Sequence, residues 1–252
     1  GYWLNGSVEY FSRKTTDLLY SKDVPLSSGN PTGYYPINVG SILNDGFELN
    51  LNGHFVKSVS VDWGWNANLS HYRNKILSLD PSVSEEGIKG GNYIYKVGGS
   101  LYEAYMRKYA GVDPETGKAL WYKKELDGER RWTGRSVTTD IFSEADQYEI
   151  GSVLPLVYGG FGTSLKAYGV DFNASFSFQI GGRYYDGTYQ ALMHTSSGVG
   201  TAWHKDVLQS WSPENPDSDI FRLDGDTSVG QTATDNYLIT SNYLSINNIT
   251  LG

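Results

Sequence analysis

The stretch Val170 to Ile180, VDFNASFSFQI, most constrains what this chain can fold into. Val170, Phe172, Ala174, Phe176, Phe178 and Ile180 alternate without a break with Asp171, Asn173, Ser175, Ser177 and Gln179. A helix would scatter those apolar groups around its circumference, so a period of two kept over this length specifies a strand. Upstream, Phe161, Thr163, Leu165 and Ala167 alternate more loosely with Gly162, Ser164 and Lys166. The two runs meet through Ala-Tyr-Gly-Val, a connection short enough only for a hairpin. Strands in soluble proteins run to about five or six residues, whereas a tilted strand crossing a bilayer needs about nine to eleven. Length and alternation together point to a membrane-spanning hairpin.

The same grammar recurs along the chain. Tyr2, Leu4, Val8 and Tyr10 oppose Asn5, Ser7 and Glu9, with Gly6 in an apolar-face position where a bend or bulge is expected. Phe47, Leu49, Leu51 and Phe55 alternate with Glu48, Asn50, Asn52 and His54, and a tight turn near Lys57-Ser58 leads into Val59, Val61, Trp63, Trp65, Ala67 and Leu69. The last run, Tyr243 to Leu251, is strand-like, but Asn247-Asn248 breaks its alternation. The chain therefore reads as all-β, an antiparallel up-and-down meander of about six long strands. They fall at about 2–13, 44–57, 59–72, 157–168, 170–182 and 242–252, and long loops cover about 14–43, 73–156 and 183–241. Irregular connections of that length are unusual in a compact soluble domain, but alternating short turns and long loops are the habit of outer-membrane barrels. A soluble β-sandwich with one wet face is the competing architecture. The chain opens with strand-like GYWLNGSVEY and stops inside another strand, so continuation beyond both ends is expected.

Composition closes several doors. A formal charge of -8 opposes a nucleic-acid backbone as partner. The absence of cysteine removes disulfides, thiolate metal sites and Cys nucleophiles. No apolar run approaches the roughly 20 residues of a membrane-spanning helix. Twenty Tyr, seven Trp and 30 Gly suit turn-rich β structure with rings at membrane interfaces.

Signals for chemistry are weak. His54, His71, His194 and His204 have no metal-binding spacing. Asp224-Gly-Asp226 lacks the calcium-loop pattern, and Glu85-Glu86 reads as a solvated pair. Gly159, Gly160 and Gly162 precede no Lys-Ser/Thr, so they read as strand glycines that permit bulges or close packing. Neither catalysis nor a cofactor is expected. The informative group is the loop aromatics. Tyr93, Tyr95, Tyr105, Trp121, Tyr122, Trp132 and Trp203 form the candidate ligand-binding set, with Tyr102 beside them. Rings of this kind stack on sugars and anchor recognition surfaces, although loops also use them to pack on themselves.

Six segments taken in order carry a family resemblance. They are NDGFELNLNG (44–53), YAGVDPETGKALWY (109–122), IGSVLPLVYGGFGTSL (150–165), FQIGGRYYDGTY (178–189), WSPENPDSD (211–219) and NYLSINNITLG (242–252). Together they resemble the C-terminal half of the SusC/RagA-like TonB-dependent outer-membrane transporters. The resemblance implies a roughly 22-stranded transmembrane barrel in the Gram-negative outer membrane. It further implies an N-terminal plug that engages TonB, a SusD-like surface lipoprotein as lid, and import of oligosaccharides or peptides. The plug, the TonB-binding segment and the closing strands are expected outside this stretch. On this reading the segment is wall and extracellular loop rather than enzyme; a soluble β-rich carbohydrate-binding module is the alternative.

Overall fold

The structure is a computed structural model that describes residues 3–23, 27, 34–38, 40–80, 87–193, 200, 202–223 and 233–252. Tyr2, Glu85, Glu86, His194, Asp224 and Asp226 lie outside the described residues. The strands in chain order are β1 (Leu4–Thr15), β2 (Leu19–Asp23), β3 (Tyr34–Asn38), β4 (Gly40–Lys57), β5 (Val61–Leu79), β6 (Ile88–Gly90), β7 (Tyr93–Tyr95), β8 (Glu103–Arg107) and β9 (Tyr109–Val112). They continue with β10 (Ala119–Leu126), β11 (Trp132–Thr139), β12 (Gln147–Ser152), β13 (Pro155–Ala167), β14 (Val170–Gly181), β15 (Arg183–Tyr185), β16 (Leu238–Thr240) and β17 (Tyr243–Leu251). A short α-helix, α1 (Gly187–Leu192), is capped by Asp186, whose carboxylate accepts from the Tyr189 amide at 2.8 Å.

The six long strands form one antiparallel sheet in the order β1-β4-β5-β13-β14-β17. Its register turns the alternation of each strand into rows across the sheet. Gly6, Leu51, Ala67, Phe161, Phe176 and Ile246 form one such row, and Val8, Leu49, Leu69, Gly159, Phe178 and Leu244 the next. Between them on the opposite face run Ser7, Asn50, Asn68, Gly160, Ser177 and Ser245. In these rows one face of the sheet is apolar and the other polar. Leu4, Val8, Phe161, Ile246 and Leu251 are exposed, and no second sheet covers them among the described residues. A sandwich would bury this face, and this sheet leaves it open. From Val170 to Ile180 the apolar stripe runs about 33 Å along the strand, or about 25 Å of height at barrel tilt, the thickness of an outer-membrane apolar band.

Bulges keep the faces consistent. A register shift between Ser175 and Phe176 accommodates the Asn247-Asn248 pair, and Ser177 Oγ donates to Asn247 Oδ1 at 3.1 Å. Ile246 and Ile249 therefore stay on the apolar face despite the broken alternation. A second shift, between His54 and Val56, sets Phe55 against Trp63 and Trp65 with ring centroids 4.9 and 5.9 Å apart. This is an aromatic girdle at the short-turn end.

Gly6 departs from expectation. It sits in regular register opposite Leu51, without a bulge. A Cβ there would come within 2.9 Å of the Asn50 carbonyl oxygen and 2.6 Å of Leu51 Cδ2, so the glycine lets the β4 backbone and the Leu51 side chain lie close against it. Gly159 serves a similar end, since its Cβ would meet the Asn68 carbonyl at 2.1 Å.

The loops are more ordered than the sequence pattern suggests. Residues 19–38, within the long loop expected over about 14–43, contain the separate β2-β3 hairpin. Strand β5 continues to Leu79, and the stretch read as irregular over 73–156 folds into two small sheets, β12-β8-β7-β6 and β11-β10-β9. Their strands of three to eight residues are too short to build a legible period.

The upper parts of β4 and β5 anchor these sheets. Arg73 forms a two-pronged pair with the buried Asp45, at 2.7 and 3.2 Å. Buried Asn74 donates to Asn44 Oδ1 at 2.7 Å and accepts from the Leu101 amide at 2.8 Å. Beyond the reach of β13, Ile76 exchanges two backbone hydrogen bonds with Gly98 and Gly99. These polar groups sit where strand logic calls for apolar alternation, so the sequence pattern loses β4 before residue 44 and β5 after residue 72.

Candidate functional site

All the short turns of the large sheet leave one end, and the three long connections leave the other. In an outer-membrane barrel the long loops are extracellular. The loop sheets are therefore the candidate site for contact with a ligand or partner.

Their core is built on Trp121, which is only 1 % exposed. Phe142 meets its ring edge-on at 5.0 Å and Tyr109 tilts against it at 5.3 Å, with Ala119, Ala145 and Phe221 filling in. Trp121 therefore packs the loop interior and presents no face to a ligand. The third long connection is tied to this core. The Asp235 carboxylate accepts from the Tyr109 amide at 2.7 Å, and the Tyr109 hydroxyl donates to the Asp219 carbonyl at 3.2 Å. Burial pushes the Tyr109 hydroxyl far above its ordinary pKa and raises Tyr237 to about 12. Burial likewise raises the Asp235 carboxyl, against the pull of the Tyr109 amide and the Lys108 and Arg183 charges.

Two of the sequence segments noted above dock on each other. In the 113–117 turn, Asp113 accepts from the Glu115 amide at 3.0 Å and from Thr116 Oγ1 at 2.6 Å. These bonds hold its carboxyl below the usual range. Trp211 of the WSPENPDSD segment lies over Gly117, which has φ +72°, and donates from Nε1 to the Pro114 carbonyl at 3.1 Å. The Arg222 amide donates to the Gly117 carbonyl at 2.8 Å.

Between the two loop sheets lies an open groove of about 580 Å³. Of the sequence candidates it collects Tyr105 and Trp132. It adds Tyr148, which periodicity did not single out, and three lysines. The Lys124 ammonium lies 5.4 Å from the Trp132 ring centre and 5.7 Å from that of Tyr148, and Lys89 lies 5.6 Å from Tyr105. Lys96 pairs with Glu149, the one carboxylate in the lining. The other candidates lie elsewhere. Tyr122 carries Lys108 5.4 Å above its ring. Tyr95 lines a separate, more apolar cavity of about 340 Å³ with Ile76, Leu101 and Tyr102. Tyr93 pairs with Gly90 and Ala104 outside the groove, and Trp203 is 43 % exposed in the third connection. Flanking charge would have pointed towards it in part: Lys96 follows Tyr95 directly, and Lys124 stands two residues after Tyr122.

Among the described residues no group of three or more His, Cys, Asp or Glu is arranged to hold a metal. His54 and Asp62, 2.5 Å apart, sit at the short-turn end, far along the strands from the groove. The groove is equipped for binding: cations, ring faces and one amide, Gln147.

An open antiparallel sheet with an uncovered apolar face, a polar face and all its long loops at one end is a piece of outer-membrane barrel wall. Residues 1–183 match the TonB dependent receptor-like β-barrel family, and the chain belongs to that family. It is 27 % identical to TonB-dependent receptor P26 of Formosa agariphila, over 97 % of this chain and 25 % of the relative. It is 23 % identical to TonB-dependent receptor SusC of Bacteroides thetaiotaomicron, over 99 % of this chain and 24 % of the relative. The structure of the RagAB peptide transporter superposes with a TM-score of 0.78 at 26 % identity, covering 99 % of this chain and 27 % of that one. The chain thus spans about a quarter of these proteins' length. It is a SusC/RagA-like barrel segment of the Gram-negative outer membrane, and its relatives are receptors and transporters rather than enzymes.

Proposed function

We propose that this segment forms part of the wall and extracellular face of an outer-membrane importer of oligosaccharides or peptides. Its contribution is passive: the polar rows line a hydrated lumen, the apolar rows face lipid, and the loop sheets touch ligand and lid. The observation that carries this reading is the split between the two faces of the six-stranded sheet, with the ring-lined groove on its long-loop side. The likeness to SusC and to the RagAB peptide transporter supports import as the activity. In this arrangement a SusD-like lipoprotein closes over the loops, and TonB supplies energy through a plug outside this stretch.

The test is uptake. Cells carrying the full-length gene should take up a nutrient glycan or peptide in a TonB-dependent manner, and an affinity tag on the protein should bring down a surface lipoprotein from the outer membrane. Full-length protein found in the soluble fraction, or uptake indifferent to TonB, would overturn the importer reading.

A further inference from the structure

The apolar face of β1, β4 and β5 changes character at one height. Its apolar rows end in the ring-bearing row of Tyr10, Phe47 and His71, where Tyr10 is 71 % and Phe47 41 % exposed. The next row on the same face is Ser12, Asp45 and Arg73, and the one above it is Lys14, Leu43 and Lys75. Three cations thus stand on this face over two adjacent rows, and all three residues are exposed. Asp45 is the one carboxylate in those rows, because Glu9 and Glu48 alternate to the polar face. It holds Arg73 through Nε and Nη2 and leaves the third guanidinium nitrogen, Nη1, over. Neither Lys14 nor Lys75 has an ion-pair partner among the described residues. The patch is local: at this height β13 and β14 carry Val157 opposite Ile180 and Pro155 opposite Gly181, without a cation.

Depth says what these cations meet. From Trp63 to Arg73 the apolar face of β5 rises about 33 Å along the strand, or about 25 Å at barrel tilt, which sets Arg73 at the upper edge of an outer-membrane apolar band. The cations lie just beyond the rings that mark the interface, at the long-loop end and so in the outer leaflet. Strands in a sheet stand about 4.8 Å apart and alternate residues of one strand about 6.6 Å apart. The Cα atoms of Lys14 and Lys75 are therefore about 10 Å from each other, and that of Arg73 is about 7 Å from that of Lys75. Side chains of this length bring two ammonium groups and a guanidinium edge onto a single group between them. Phosphate is the headgroup chemistry that matches, because its oxygens accept from several such donors at once.

We infer that the long-loop end of this face binds the phosphate of an outer-leaflet lipid, clamped by Lys14, Arg73 and Lys75, with Tyr10 and Phe47 against the acyl chains beneath. The inference goes beyond the importer reading: it needs the sheet to stand as barrel wall but asks nothing of the cargo. Asp45 is a positioning residue that keeps the guanidinium at headgroup depth.

The experiment uses the full-length protein purified from outer membranes and stripped of lipid in detergent. Native mass spectrometry follows the binding of lipid A, and of lipid A whose phosphates have been removed enzymatically, as each is titrated in. The expected result is that the double variant Lys14→Gln with Lys75→Gln loses one bound lipid A, or holds it about tenfold or more weaker, the scale of a lost charge-assisted contact. Dephosphorylated lipid A should bind the native protein and the double variant alike. Lys14→Arg with Lys75→Arg should keep the bound lipid A. Arg13→Gln is the control: it removes a charge next to Lys14, but from the row of Asn44 on the opposite face. It should leave lipid A binding unchanged. Equal lipid A binding by the native protein and the Gln double variant would overturn the proposal, and so would the same loss with dephosphorylated lipid A or in Arg13→Gln. A copurifying protein that leaves with the two lysines while lipid A stays would overturn it too. The folded, heat-modifiable band of each variant in the outer membrane is scored alongside. Its absence in the native protein would count against the barrel wall itself, whereas a normal band with unchanged lipid A binding overturns only the present inference.

Discussion

Replacing Gly117 with alanine should unlock the 211–222 segment from the loop core. Gly117 is buried and has φ +72°, a left-handed conformation that costs a residue with a Cβ about 1–2 kcal/mol. The added Cβ would also fall 2.2 Å from Trp211 Cε3 and 2.4 Å from Cδ2, so the indole must move. Its movement breaks the 3.1 Å bond from Nε1 to the Pro114 carbonyl, a loss of about 0.5–1.5 kcal/mol. Together these come to about 1.5–3.5 kcal/mol of local opening energy, or roughly 10- to 300-fold faster amide exchange in this segment. The assay is hydrogen exchange with mass spectrometry on the full-length protein, following the Trp211 and Arg222 amides, which donate to Ile220 and Gly117. Gly117→Asn separates the two causes, because asparagine tolerates positive φ but still brings a Cβ against Trp211. It should restore less than half of the lost protection. Native-like exchange of peptides covering 209–222 in Gly117→Ala would refute the reasoning.

The two faces of the sheet give a paired prediction. Leu49→Arg places a charge in the apolar rows and should cost about 2–4 kcal/mol of barrel stability, whereas Asn50→Arg, one residue on and facing the polar row, should cost under about 1 kcal/mol. Levels of the heat-modifiable folded band in the outer membrane check this, and equal loss in both variants would contradict the assignment of faces. Asp235 gives a pH prediction. Burial raises its folded pKa above the unfolded value of 3.8, so the stability it contributes is fully present below about pH 4 and is lost as pH rises through the folded pKa. Asp235→Asn keeps an acceptor for the Tyr109 amide and removes the buried charge. Exchange protection of β9 and β16 at pH 7 should then match or exceed the native value and lose that pH dependence. Asp235→Ala, which strands the Tyr109 amide, should cost about 1–3 kcal/mol. Equal losses in the two variants would refute this account of the carboxylate.

The barrel wall was legible because its physics repeats. Each strand faces lipid on one side and water on the other, so Phe172, Phe176 and Phe178 announce themselves against Asn173, Ser175 and Ser177. The loop sheets were not legible for the complementary reason. Strands such as Tyr93–Tyr95 or Tyr109–Val112 are too short for a period, and their pairing is decided by neighbours far along the chain. The ends of β4 and β5 were hidden by Asp45, Arg73 and Asn74, whose buried hydrogen bonds replace apolar contacts. Gly6 reads as a bend or bulge in the sequence because a missing side chain in one strand looks alike whether the backbone bends or a neighbour lies close against it. Among the aromatics, composition alone treated Trp121 and Trp132 as equals. Only the packing of Phe142 and Tyr109 around the first, and of Lys124 against the second, separates a core residue from a surface one.

The most direct test of the barrel wall is a nitroxide scan of residues 170 to 180 in the full-length protein in lipid. This chain has no cysteine of its own to compete for label. Collision rates with oxygen, which partitions into lipid, and with a water-soluble nickel chelate are read at each site. The account predicts a period of two: high oxygen access at Phe172, Phe176 and Phe178, and high chelate access at Asn173, Ser175 and Ser177. Chelate access at both sets, or both sealed from lipid, would contradict a membrane-spanning wall.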